Sequence, residues 1–125
     1  MFSHVILGAN DIEASRKFYD AALATLGVGD SVQDPKGRIF YRTATGVFGI
    51  TLPIDGEPAN HGNGFTLGFA ASSPEEVDAW HEAGLEAGGT DCEDPPGVRE
   101  GGGAQMYIAY LRDPAGNKIC ALHRM

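Results

Sequence analysis

Two short apolar runs, Phe2–Leu7 and Phe65–Ala70, each precede a stretch in which apolar positions recur every three or four residues. The runs lack polar alternation and read as strands covered on both faces, and the periodic stretches read as helices. Ile12, Ser15, Tyr19, Leu23 and Leu26 share one helical stripe, and Val77, Trp80, Gly84 and Ala87 share the other. Asp11 caps the first helix. Ser73-Pro74-Glu75-Glu76 supplies the second with a cap, a proline at the first helical position and the glutamate of a capping box. Gly27 and Gly88-Gly89 end them. After each helix come β-rich pieces too short for another helix: around Gly29–Gln33, Arg38–Thr43 and Val47–Pro53, then Thr90–Glu93, Gln105–Arg112 and Lys118–Arg124. The turns Thr43–Gly46 and Asp113–Asn117 close the last hairpin of each set.

Displacing the chain so that His4 falls on Thr66 also places Glu13 on Glu75, Phe18 on Trp80, Leu23 on Leu85 and Gly27 on Gly89. A second displacement superposes the hairpins, with Phe40-Tyr41-Arg42 on Tyr110-Leu111-Arg112, Gly46 on Gly116, Ile50 on Cys120 and Leu52 on Leu122. The pattern is a duplicated β-α-β-β-β unit. The second copy has gained the stretch Asp94–Ala104, which reads as a mobile flap. The fold class is α+β, a single domain over 1–125 with module 1 at about 1–53, a turn-rich linker at 54–64 and module 2 at about 65–125.

Composition narrows the function classes. Apolar residues at 42% and charged residues at 21% describe an ordinary globular chain, with no run approaching the roughly 18 residues of a membrane span. Nine Lys+Arg against seventeen Asp+Glu give a net charge of −8, which disfavours nucleic acid and favours a cationic ligand. Cys92 and Cys120 read as free thiols in a reducing compartment, so the cytoplasm is the expected location. Gly101-Gly102-Gly103 lacks the strand-to-helix context of a phosphate loop.

Two segments carry a family resemblance. Ser3-His4-Val5-Ile6-Leu7-Gly8, with Asp11-Ile12, Ser15 and Phe18-Tyr19, resembles the opening of vicinal-oxygen-chelate proteins of the glyoxalase/bleomycin-resistance type. Leu111-Arg112-Asp113-Pro114-Ala115-Gly116-Asn117 resembles their closing signature. The resemblance implies two tandem modules forming a cup-shaped sheet with helices outside, a small-molecule ligand in the cup and a homodimer. It also implies a divalent metal held from the first and last strands of both modules, at positions that the repeat maps to His4, Ile50, Thr66 and Cys120. Of these His4 alone matches the usual ligand set, so the four-ligand centre is expected to be missing. His4 and Cys120 remain the only candidates for a softer ion such as Zn²⁺, while His61 falls in the linker and His123 near the terminus.

The same two residues are the catalytic candidates, as an imidazole beside a thiol. The structural alternative makes Cys120 a small buried hydrophobe and His4 a hydrogen-bonding wall residue. Thr66, Tyr41, Tyr107 and Arg99 are the substrate-binding candidates, the tyrosines as inner-face residues of the hairpins and Arg99 as an anion contact from the flap. Three readings follow: a glyoxalase-like enzyme without its usual metal shell, a noncatalytic drug- or metabolite-sequestering protein, and a metal-dependent lyase or transferase with substituted ligands.

Overall fold

The computed structural model describes residues 1–125. In the first half, β1 (His4–Gly8), α1 (Ile12–Ala24), β2 (Val32–Gln33), β3 (Ile39–Thr43) and β4 (Gly46–Thr51) build a four-stranded sheet ordered β1-β4-β3-β2. In the second, β5 (Leu67–Ala70), α2 (Pro74–Glu86), β6 (Thr90–Asp91), β7 (Gly97–Gly101), β8 (Ala104–Arg112) and β9 (Lys118–Arg124) build a sheet ordered β5-β9-β8-β6, with β7 also paired to β8. Each outer strand, β1 or β5, runs parallel to the last strand of its own unit. The two mixed sheets do not close into a barrel.

The caps act as their sequences predict. Asp11 accepts from the Ala14 N–H and Ser73 from the Glu76 N–H, both at 3.1 Å, while Glu76 reaches back to the N–H of Ser72 rather than that of the cap itself. Each helix lays its apolar stripe on its sheet, and one core joins both units: Leu7, Tyr19, Phe48 and Ile50 from the first, Trp80, Leu111 and Ile119 from the second. Between the helices, Phe18 enters a notch made by glycine. A methyl on Gly84 would stand 2.4 Å from Leu111 and 3.2 Å from Phe18, and one on Gly89 only 2.5 Å from Phe18. The Ser15 hydroxyl and the Trp80 indole N–H are buried without a hydrogen-bond partner.

A second junction is polar. The carboxylate of Asp113, 3% exposed, receives hydrogen bonds from the Ala115 and Asn117 N–H groups (2.9 Å each), the Asn117 side-chain amide (2.9 Å) and the Tyr19 hydroxyl (2.6 Å). The same Asn117 amide donates to the Gly8 carbonyl at the end of β1 (2.9 Å). The Asp-Pro-Ala-Gly-Asn turn therefore staples the second unit to α1 and β1 of the first. Burial, and then the Asp113 charge, raise the Tyr19 pKa well above its ordinary value, so its hydroxyl stays a donor.

Two expectations change. Asp94–Ala104 is not a flap: its Gly97–Gly101 stretch is β7, joined to β8 by a Gly102-Gly103 turn with φ +59° and +79°, the left-handed values that a two-residue hairpin turn demands. The hairpin alignment also slips by one residue. Arg42 pairs with Val47 across four turn residues, whereas Arg112 pairs with Lys118 across five, so the partner of Cys120 in the first unit is Gly49 and not Ile50. A slip of one turns a side chain to the other face of a sheet. Ile50 accordingly lies in the core between Leu7 and Ile39.

Asp113→Ala removes one acceptor group from four donors, so it should cost about 3 kcal/mol of unfolding free energy in urea titrations, and Tyr19→Phe about 1 kcal/mol. An Asp113→Ala loss no larger than the Tyr19→Phe loss would remove the staple from the account.

Candidate functional site

Register divides each sheet into a helix-facing side and an open side. On the open side of the first sheet, His4, Val47 and Arg42 form one row and Ile6, Gly49 and Phe40 the next. On that of the second, Gly68, Cys120 and Tyr110 share a row. A cleft of about 520 Å³ lies between the β1 and β5 edges, with walls including Val5, Leu26, Phe48 and Phe69 and polar groups from Ser3, His4, Thr43 and Thr45. Its lining is mainly apolar with few polar groups, as in ligand sites generally. A neighbouring recess of about 460 Å³ shares Gly68, Phe69 and Ala70 and reaches His123 and Arg124.

His4 belongs to the cleft. It is exposed, and its Nδ1 lies 2.7 Å from the Ser3 hydroxyl. Cys120 stands behind the opposite wall: it is 5% exposed, and a methyl added to Gly68, which lines the cleft, would come within 3.1 Å of its Sγ. Its electrostatic neighbours are Lys118 and Glu93, themselves an ion pair, rather than His4. Burial outweighs the attraction of Lys118 and pushes the Cys120 thiol up to about 11. The arrangement therefore holds a protonated thiol and not the expected imidazole-activated nucleophile. Cys92 is free as well.

The tyrosines differ from expectation in orientation. Tyr41 and Tyr107 are on the helix-facing sides, where their hydroxyls donate to Asp20 of α1 (2.6 Å) and Asp78 of α2 (2.8 Å). Burial and then the Asp20 bond raise the Tyr41 pKa, and the Asp78 bond raises that of Tyr107. Tyr41 still contributes to the inner wall of the cleft; Tyr110 is the tyrosine on the open side beside Cys120. Thr66 is exposed just before β5. Arg99 lies on the open side of β7, its guanidinium donating to the Pro95 carbonyl at 2.7 Å and the Val98 carbonyl at 3.2 Å. His61 packs against Gly116, and the His123 ring lies 3.1 Å from the Ala71 carbonyl.

With the register corrected, the metal positions become His4, Gly49, Thr66 and Cys120. Gly49 has no side chain, and a methyl there would meet the Phe40 ring at 2.9 Å, so that ring fills the space a carboxylate would need. Thr66 offers a neutral hydroxyl and Cys120 a buried thiol that resists ionisation. No three His, Cys, Asp or Glu side chains gather closely enough to hold an ion. These residues do not fit the divalent metal of the resemblance, nor a Zn²⁺ on His4 and Cys120.

The fold and this cleft define a protein of the class anticipated from the two signatures. A profile of the Glyoxalase/Bleomycin resistance protein/Dioxygenase superfamily matches residues 1–121, and the chain belongs to that superfamily. A glyoxalase/bleomycin resistance protein from Albidiferax ferrireducens is 64% identical, with a TM-score of 0.96 over 99% of each chain. A glyoxalase-related enzyme from Fulvimarina pelagi is 22% identical, with a TM-score of 0.72 over 98% of this chain and 87% of that one. A lactoylglutathione lyase from Agrobacterium tumefaciens is 21% identical, with a TM-score of 0.65 over 98% and 92%. The last two likenesses show the fold alone. The curated proteins contain no match. No helix is long and apolar enough to cross a membrane.

Residues missed by sequence reasoning include Gly49 at the mapped metal position and Gly68, Phe48 and Phe69 along the cleft. The readable signal was the extra residue in the second hairpin turn, which shifts the last strand onto its opposite face.

Because burial lifts the folded thiol from its ordinary value of 9.0 to about 11, the stabilisation tied to its neutral form is complete below the lower value and lost as pH rises through the upper one. Wild type should therefore lose about 2–3 kcal/mol more than Cys120→Ala across that window in denaturant melts. Equal losses in the two proteins would mean that the thiol is not held neutral by burial.

Proposed function

We propose that this chain binds a small, largely apolar molecule in the cleft between β1 and β5, as a sequestering or carrier member of its superfamily. The observation that carries the reading is the contrast between the cleft and the chemistry around it. The cavity is large enough for a drug- or metabolite-sized body and has an apolar wall, yet His4 has no acid or base partner beyond Ser3 and the thiol behind Gly68 is protonated. Turnover of the lyase or transferase kind with substituted metal ligands would need donors that Gly49, Thr66 and Cys120 do not offer. His4 then serves as a hydrogen-bonding wall residue, with Thr43 and Thr45 at the same end. Free Cys92 and Cys120 accord with a reducing, cytoplasmic setting. A homodimer is part of the proposal, supported by apolar exposure on and beside the open side of the first sheet, where Ile6 is 38% and Leu52 54% exposed.

The test is a thermal-shift screen of apolar metabolites and drugs, since a molecule that binds only the folded state raises the midpoint by mass action. Hits should vanish in Val5→Trp, which fills the cleft from the side of the sheet that carries Phe48, and weaken by about tenfold in His4→Ala, consistent with a lost hydrogen bond. Metal analysis of protein purified without chelator should find less than one ion per chain. Hits that survive Val5→Trp unchanged would place binding elsewhere, and a stoichiometric ion lost in His4→Ala would restore the metal-centred reading.

A further inference from the structure

The cleft has one covered side and one bare side. Its helix-facing wall is large and apolar, built from Val5, Leu26, Phe48 and Phe69. On the open side β5 contributes Gly68 and Ala70, while β1 and β4 contribute His4 and Val47. A molecule lying on Phe48 and Phe69 would therefore keep much of its outer surface in water, and apolar area left in water adds nothing to binding. Ligands of drug size are ordinarily enclosed over roughly 70–90% of their surface.

Phe2 is the large apolar residue that stands free at the edge of this cleft. It belongs to the lining and yet is 74% exposed, whereas the aromatic rings of the covered wall pack on one another, Phe48 on Tyr41 with centres 6.0 Å apart and Phe69 on Phe48 at 5.2 Å. Single exposed apolar residues are ordinary on a protein surface; Phe2 differs in bordering an apolar cleft with a bare side. Met1 and Phe2 lie ahead of β1 and make no hydrogen bond, and the nearest tie is the one from the Val47 N–H to the Ser3 carbonyl, long at 3.3 Å. The segment runs beside the β3–β4 turn, where a methyl on Gly46 would stand 3.6 Å from the Ser3 carbonyl and 3.7 Å from that of Phe2. The turn thus places the backbone at the edge of the cleft, while the ring is free to change rotamer.

Building on the cleft as a small-molecule site, we infer that Phe2 supplies its missing wall: when a molecule enters, the segment ahead of β1 folds across it and the Phe2 ring covers the side that Gly68 and Ala70 leave bare. The ligand class selected is a neutral apolar body with one hydrogen-bonding group, met by His4 and the hydroxyls of Ser3, Thr43 and Thr45. No carboxylate, lysine or arginine lines the cleft, so a charged head would be desolvated there without a counter-charge, and the chain's net charge of −8 is carried elsewhere.

The test titrates 1-decanol, which is neutral and carries no fluorophore, calorimetrically into the intact protein and its variants. Phe2→Ala should weaken decanol binding about tenfold and Phe2→Leu about threefold, following the apolar area each removes from the contact. In Phe2→Trp the introduced indole should pass from a water-exposed to a shielded emission as decanol binds, read against wild type, in which the buried Trp80 is the only tryptophan. None of the three substitutions should move the melting midpoint of the free protein, because the ring is exposed there. Equal affinity in wild type and Phe2→Ala, or an introduced indole that stays in water while decanol binds, would overturn the Phe2 cover and, with Val5→Trp still blocking decanol, leave the cleft reading standing. Failure of decanol to bind wild type, or binding indifferent to Val5→Trp, would overturn both.

Discussion

The buried carboxylate of Asp113 is the point through which the two units are held to one another. Its two oxygens order the β8–β9 turn from inside and take the Tyr19 hydroxyl from outside, while the Asn117 amide that it also holds reaches the Gly8 carbonyl. A carboxylate so nearly enclosed is expensive to desolvate, and four donors offset that cost only if all are in place together. The turn, helix α1 and the end of β1 are therefore set as one assembly. The seam is closed at this end by the Asn117 amide on the Gly8 carbonyl, and the cleft lies along the same seam, between the edges of β1 and β5.

Steric constraint does on the apolar side what Asp113 does on the polar side. Phe18 occupies space that exists only because positions 84 and 89 are glycine. Gly84 is unfavourable in a helix interior by about 1 kcal/mol relative to alanine, so its presence in α2 makes sense as a packing requirement rather than a helix signal. The duplicated pattern that aligns Phe18 with Trp80 thus marks the two large side chains on which the helices meet, and both are fully buried.

Much of this was legible because periodicity and caps are local. The helices, their stripes, the β-α-β-β-β order and the Asp113–Asn117 turn all follow from spacing and residue type. What escaped depends on counting across a turn or on pairing. Strand β7 was hidden because Pro95-Pro96 and the Gly101–Gly103 run read as loop, and its pairing with β8 is what makes Val98–Glu100 extended. Tyr41 and Tyr107 could not be oriented without register, and the one-residue slip at the second hairpin put Ile50 where Gly49 belongs. The hydroxyls of both tyrosines resolve the matter physically, since each finds an acidic partner on its own helix.

The slip matters more for chemistry than for architecture. An isoleucine at a ligand position could be an accidental replacement, leaving a cavity where a carboxylate might return. Gly49 under the Phe40 ring is a different case, because the aromatic side chain has taken the volume and brought two guanidinium groups to rest on it. The equivalent row in the second unit pairs Cys120 with Tyr110 and sets Lys118 on that ring. In each half one strand position that the superfamily resemblance assigns to a metal ligand, Gly49 or Cys120, thus pairs with an aromatic residue whose ring bears one of the chain's own cations. A metal ion at either position would face like charge, so the same side chains that leave no room for a ligand group also set a repulsive field against the ion.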